Sequence, residues 1–552
     1  MPSALIAFCP WVVRLLLVLG ARSGQSLRKR PAGAGNRWPA WRTLLALLAI
    51  GLVSGCASLR SDVPRVPSHA FEQPEETSLG RNFAARLAES PGLSGFHLLA
   101  SGEEAFIVRA ATAEAAQKTL DLQYFIVADD ATATLLLYRA LRAAERGVRV
   151  RILVDDAGTH DRDDLLATLD THPNIEVRAY NPFSGRSVWG LSRVLEYLGD
   201  GERLNRRMHN KLWIADNAVA VLGGRNLGDA YFATNRDSDF ADLDVFVAGP
   251  LVREVSRSFD AYWNSPAAIP IGSFSATSPG PEQLAAIQAQ LKARAEIFRD
   301  TDYAKSVRGT DLGRLLRGGQ FALVTAPAAI LHDAPEKIQP QGTEQPIVSA
   351  LRSTIFAARR EALLISPYFI PSERGVAGLC SLVAKGVRVR ILTNSLASTD
   401  VPVVHAGYAR YRPRLVACGV ELHELRPGAK ATRRGLSSGA SLHAKAVIVD
   451  RSALIIGSMN LDPRSRQLNT EVAVKIDSPV LGEELGALFE EAVSPDQAFR
   501  VELAEPGNAA SALFWRGEED GRPVRYDSEP LAGWWRHFVS GLLGSLAPEE
   551  LL

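Results

Sequence analysis

The chain repeats itself, and no other feature limits its fold as much. Its first half carries Leu122-Gln-Tyr-Phe-Ile126, a helical stretch around Leu135 to Glu145, and Gly147-Val-Arg-Val-Arg-Ile-Leu153. The second half carries Ser366-Pro-Tyr-Phe-Ile370, a helical stretch around Val376 to Ala384, and Gly386-Val-Arg-Val-Arg-Ile-Leu392. Each copy reads strand, helix, strand, and β-branched strands flanking a helix imply right-handed parallel crossovers on a sheet. The expected class is α/β: two domains related by a pseudo-twofold axis, each a mixed, mostly parallel sheet flanked by helices. A chain of 552 residues can fill two such cores.

A second repeated string follows. Met208-His-Asn-Lys-Leu-Trp-Ile-Ala-Asp216 leads into Ala218-Val-Ala-Val-Leu-Gly-Gly-Arg-Asn226, and Leu442-His-Ala-Lys-Ala-Val-Ile-Val-Asp450 leads into Ala453-Leu-Ile-Ile-Gly-Ser-Met-Asn460. Both read as hairpins whose turns begin at Asp216 and Asp450, and hydrogen bonding at the turn is the role expected of those two acids. His209 and Lys211 are two residues apart, so both side chains leave one face of a strand; His443 and Lys445 repeat the arrangement. Imidazole can attack phosphorus, and an ammonium beside it stabilises the charge on the phosphoryl oxygens. Asn226 and Asn460, each 17 residues beyond their histidine, are placed to donate to the same phosphate. A single copy could be a satisfied polar pair at a sheet edge. Two copies under a pseudo-twofold axis meet in one cleft between the halves.

A neutral histidine nucleophile needs its second nitrogen held by an acceptor. Glu471 follows His443, and Asp242 occupies the matching place when the halves are aligned backwards from Pro479 and Pro250. These are the expected histidine-orienting carboxylates.

These strings resemble the phospholipase D superfamily, from about Phe96 to Ile476. Arg207-Met-His-Asn-Lys, Gly223-Gly-Arg-Asn-Leu-Gly-Asp-Ala-Tyr-Phe232, Gly457-Ser-Met-Asn-Leu-Asp-Pro-Arg-Ser-Arg466 and Leu468-Asn-Thr-Glu471 are similar to the bacterial cardiolipin synthase C branch. The resemblance implies two phospholipase D-type domains with the active site at their interface, and a two-step mechanism without metal or other cofactor. One histidine becomes phosphatidylated while the other protonates the departing alcohol and then deprotonates the incoming one. By similarity His209 is the nucleophile and His443 the acid/base, although the symmetric pattern also allows the reverse. The activity implied is transfer of a phosphatidyl group, from phosphatidylethanolamine or phosphatidylglycerol, to phosphatidylglycerol to form cardiolipin, with an accessory protein as a further implied partner. Hydrolysis to phosphatidic acid needs no other residues. A nuclease and a non-catalytic phospholipid-binding lipoprotein are the remaining alternatives.

A formal net charge of +1 gives a nucleic-acid role no support, and four cysteines lack the spacing of a metal site. Cys380 and Cys418 are open to two readings, one disulfide or two buried thiols. Basic residues from Arg28 to Arg42 precede an apolar run, Leu44 to Val53, which ends at Cys56. That is an export signal resembling a lipoprotein cleavage site, with lipidation at Cys56 and a place in the bacterial cell envelope as expectations. Residues 1–56 are read as signal, 57–95 as a polar tether with a short helix, 96–266 and 318–500 as the two domains, 267–317 as their connection, and 501–552 as a tail.

Substrates at a membrane surface are expected to meet anionic-headgroup loops. One runs from Trp189 to Arg207 with Arg193, Tyr197, Arg203 and Arg206; the other holds Arg426, Lys430, Arg433 and Arg434. His405 and Tyr408 are candidates for the acceptor alcohol. Trp534, Trp535, Phe538, Leu542, Leu543 and Leu546 fall near helical spacing, suiting a helix that lies on a bilayer or packs on the second domain.

Overall fold

The computed structural model describes residues 63–184, 191–234, 239–274, 279–338, 345–428 and 441–546. The first half is built on β1 (Ser94–Leu99), β2 (Thr119–Tyr124), β3 (Arg149–Asp155), β4 (Ile175–Tyr180), β5 (Leu212–Ala215), β6 (Val219–Gly223), β8 (Asp244–Ala248), β9 (Ala268–Pro270) and β10 (Val324–Ala326). They lie in the order β10-β1-β8-β6-β5-β2-β3-β4-β9. The second half holds β11 (Ala328–His332), β12 (Glu361–Ile365), β13 (Arg388–Asn394), β14 (Glu421–Leu425), β16 (Ala446–Val449), β17 (Ala453–Gly457), β18 (Val472–Asp477), β19 (Ala498–Leu503), β20 (Leu513–Glu519) and β21 (Arg522–Tyr526). Their order, β11-β18-β17-β16-β12-β13-β14-β19-β20-β21, repeats the middle of the first sheet and extends its far edge.

The α/β class and the two mixed sheets flanked by helices stand; the proportion of parallel pairing does not. Among the described residues of these two sheets only β2-β3-β4 and β12-β13-β14 run parallel, and helices Ala131–Glu145 and Ser372–Ala384 cross from the first to the second strand of each set. The other described pairings in these two sheets are antiparallel, and the strand that follows each His-Lys pair forms a hairpin that folds back on the crossover's first strand.

The halves superpose two residues away from the alignment of Leu122-Gln-Tyr-Phe-Ile126 on Ser366-Pro-Tyr-Phe-Ile370. Thr119 pairs with Arg149 as Glu361 pairs with Arg388, so Tyr124 corresponds to Ser366. A slip of two keeps every side chain on its own face of the sheet, so the apolar pattern could not reveal it.

The chain changes sheets at Pro327, since Val324–Ala326 pairs with β1 while Ala328–His332 pairs with β18. The second domain was expected to begin at 318. The connection is helical and docked: Leu291, Phe298 and Leu316 enter the first core. Residues 501–526 finish β19 and add β20 and β21 to the second sheet, so the expected tail is in part sheet. The stretch expected as a tether is strapped down from its first described residues. Arg151 and Arg178 donate to the carbonyls of Ser68 and Val66, Arg65 donates to the carbonyls of Pro266 and Ala268, and the amides of Ser68 and Ala70 donate to Asn264 and Asp260.

One apolar cluster joins the sheets, combining Leu212, Ile214 and Leu222 of the first with Ile365, Ile448 and Ile456 of the second. The two halves therefore share a core, and the hairpins that follow the histidines meet along it.

Candidate active site

Two short backbone contacts between the halves set the site. In the first, β7 (Phe240–Ala241) pairs in parallel with β15 (Ser441–Leu442), placing the next residues, Asp242 and His443, side by side. In the second, Met208 bridges Thr470 in parallel, with the same result for His209 and Glu471. The His443 amide donates to Ala241 and the His209 amide to Thr470. Sequence order put each carboxylate downstream of the histidine in its own half. The fold instead pairs each with the histidine of the other: His209 Nδ1 lies 2.9 Å from Glu471 Oε2, and His443 Nδ1 lies 2.6 Å from Asp242 Oδ2.

The segments that carry the histidines are clamped from below. Asp155, at the end of β3, accepts the Met208 amide at 2.9 Å; Asn394, at the end of β13, accepts the Leu442 amide at 2.9 Å. Neither residue was singled out in the sequence, yet each closes its repeated Val-Arg-Val-Arg-Ile-Leu strand at the same offset, which was the available signal.

Asp216 and Asp450 do the turn work expected of them. Each begins a pair of left-handed residues, Asp216-Asn217 and Asp450-Arg451, as a type I′ hairpin requires. Asp216 accepts three backbone N–H groups, from Gln117, Lys118 and Thr119, and Asp450 accepts those of Arg359, Arg360 and Glu361.

Both histidines are buried, with 7% and 8% of their surface exposed. Burial lowers the pKa of His209 to about 4 and that of His443 to about 3, with Lys211 and Lys445 adding to the effect and the paired carboxylates opposing it. Burial pushes Glu471 and Asp242 upward, but the facing histidine and the lysines outweigh it and hold both below the ordinary carboxylate range. Burial also brings Lys211 down to about 7 and Lys445 to about 8. At neutral pH the imidazoles are uncharged, each donating from Nδ1 to a carboxylate, so Nε2 carries the lone pair. Lys211 Nζ donates to the His209 carbonyl at 2.7 Å, and Lys445 donates to that of His443. Below these pKa values both lysines are ammonium groups, and the two carboxylates face them.

The copies differ in detail. Ser458 donates its hydroxyl to Glu471, while its counterpart is Gly224, where a Cβ would come within 2.0 Å of Asp242 Oδ1. The short acid thus takes the space that a side chain fills in the other copy. Asn226 accepts the Ile126 amide and donates to Tyr231 Oη at 2.9 Å, whereas Asn460 Oδ1 is buried with no partner among the described residues. Tyr231 stands edge-on to His443 and Phe125 edge-on to His209. Asp400, whose two oxygens accept the Tyr368 hydroxyl at 2.8 and 2.9 Å, lies within electrostatic reach of Lys445.

His405 and Tyr408 are not placed to receive an acceptor. Both are buried; His405 Nε2 lies 3.3 Å from Glu529, Tyr408 donates to Glu424, and Arg412 bridges the two acids. The stretch before the first motif, read as a loop, holds a helix, Leu191–Leu204, and its described cations serve the fold. Arg203 pairs with Glu196 and Asp200, and Arg207 is buried on Asp155 and the Leu204 carbonyl. Arg206 pairs with Glu202, and Arg426 with Glu519. Trp189, Lys430, Arg433, Arg434 and Cys56 lie outside the described residues. Cys380 and Cys418 form a disulfide.

The family model described as cardiolipin synthase, PLD-like domain matches residues 110–263 and 351–493. Cardiolipin synthase C of Escherichia coli (strain K12) is 39% identical over 473 residues, spanning 84% of this chain and 98% of that protein. Cardiolipin synthase A of Pseudomonas entomophila is 30% identical over 380 residues, 68% of this chain and 64% of that protein. Among solved structures, phosphatidylserine synthase of Haemophilus influenzae Rd KW20 covers 87% of this chain and all of its own at a TM-score of 0.53 and 12% identity, a likeness of fold.

Proposed function

Since the chain belongs to the cardiolipin synthase family with phospholipase D-like domains, we propose that it transfers a phosphatidyl group to the glycerol hydroxyl of phosphatidylglycerol, forming cardiolipin. The observation that carries this reading is the pair of crossed histidine–carboxylate contacts, each with a lysine two residues on. His209 Nε2 attacks the donor phosphorus as the bond to the headgroup oxygen breaks. His443, which takes up a proton as the arriving phosphodiester anion offsets its burial, gives that proton to the leaving alkoxide. The neutral ring then accepts the proton of the incoming glycerol hydroxyl, whose oxygen displaces His209 from phosphorus. Lys211 and Lys445 balance the charge on the phosphoryl oxygens in both steps. Asn460 and Asn226 are the side-chain amides whose Nδ2 groups would donate to the phosphate, and that of Asn226 is already committed to Tyr231.

A disulfide in the second half suits an oxidising compartment, and this agrees with export and lipidation at Cys56 as the means of holding the enzyme at a membrane. The test is lipid product analysis with purified protein, supplying phosphatidylglycerol with and without phosphatidylethanolamine, beside His209→Ala and His443→Ala. Cardiolipin that disappears in both variants supports the transferase. Phosphatidic acid alone would make the chain a hydrolase.

A further inference from the structure

The helix Trp534–Leu546 presents the longest run of exposed apolar surface among the described residues: Trp534 is 77% exposed, Trp535 59%, Phe538 52% and Leu542 47%. At these spacings the four side chains share one face. The helix packs on the helix Pro402–Ala409. The segment carries Arg536 and His537 but no acid. Its 13 residues span about 20 Å, and among the described residues no helix is long and apolar enough to cross a membrane.

The helix is also tied to the cleft. Arg536 donates to the carbonyls of Leu396 and Thr399, at 3.0 and 2.6 Å, and the next residue is Asp400, the partner of Tyr368 near Lys445. A surface that seats this helix therefore sits beside the loop lining the site. Tryptophan and phenylalanine without acidic neighbours favour the boundary between headgroups and acyl chains, the depth at which a phosphodiester headgroup lies.

We propose that the Trp534–Leu546 helix docks the enzyme in the interfacial layer of a phospholipid bilayer and presents the cleft to headgroups in that layer. The choice of a bilayer as occupant rests on the function proposed above. Hydrogen exchange on the full chain, with and without vesicles of phosphatidylglycerol and phosphatidylethanolamine, reads docking without any assay of turnover. Amides 534–546 are expected to exchange at least about tenfold more slowly when vesicles are present. In parallel, Trp534→Ser/Phe538→Ser is expected to lose about tenfold or more in turnover of vesicle lipid while matching the native chain on dispersed dihexanoyl phosphatidylglycerol, which reports that it is folded.

Exchange unaffected by vesicles, or a variant as fast as the native chain on vesicles, would overturn the proposal. Protection that grows with protein concentration in the absence of lipid would also overturn it, by assigning the face to a second copy. If no lipid is turned over by any form, the proposed function fails while the exchange result still decides docking.

Discussion

Glu471, from the second half, lies 2.9 Å from the Nδ1 of His209, in the first. The contact fixes which imidazole nitrogen holds the proton, and the mirror contact between Asp242 and His443 does the same for the other ring. Glu471→Gln keeps the shape but lets the ring take the other tautomer. A fall in kcat of about 10²–10⁴-fold is expected, with KM little changed. Asp242→Asn should behave alike, and the double variant should be scarcely slower than the worse single one, because the two rings act in one reaction. Steady-state kinetics on dispersed lipid checks this, and losses below tenfold would remove the orienting role.

On the proposed mechanism the ammonium groups of Lys211 and Lys445 set the alkaline limit. Burial depresses Lys211 to about 7 and Lys445 to about 8, so raising the pH through this range strips the charge that stabilises the phosphoryl oxygens. The quantity kcat/KM, which reports the free enzyme, is expected to fall on the alkaline side from pH 7 to 8 onward. A profile still rising at about pH 9 would contradict the assignment.

Asp216 is fully buried and holds three backbone amides, whereas the amides held by its counterpart Asp450 include exposed ones that water can reach. Asp216→Ala is expected to cost about 1–3 kcal/mol and Asp450→Ala less, with turnover per folded molecule unchanged in both. Denaturant midpoints, paired with activity at low temperature, separate the two effects.

The Cys380–Cys418 disulfide closes a loop of 38 residues. By loop-closure entropy it stabilises the second half by about 3–4 kcal/mol. Thermal unfolding in the presence of a thiol reductant should begin earlier than without it, and Cys418→Ser should remove the difference. An identical onset under both conditions would show that the bridge is not formed in solution.

Much of this was readable in the residues. The repeated hairpins located both histidines, although each stands just before its strand and not within it, and Asp242 was found by aligning the halves backwards from Pro250 and Pro479 after Glu471 had been read as following His443. Their crossing was not readable, because the partner of each histidine is set by parallel backbone contacts more than 200 residues apart in sequence. The same blindness affected His405 and Tyr408: helical spacing placed them together but could not show that Glu424, Glu529 and Arg412 bury them in an ionic network. The basic stretch before the first motif looked like a headgroup loop because sequence shows where cations are, not whether carboxylates and carbonyls already hold them. Strands β20 and β21 were missed because they continue an edge beyond the repeat, where no second copy exists for comparison.

The strapping of Val66 and Ser68 onto β3 and β4 has a geometric corollary. If lipid is attached at Cys56, only residues 57–62 separate that attachment from the first described residue, Val63. Even drawn straight, such a leash reaches no more than about 25 Å. The catalytic body would then not sample the volume above the bilayer as a ball on a long string does. It would stay within that reach of the lipid, and lengthening residues 57–62 with glycine and serine would extend the reach.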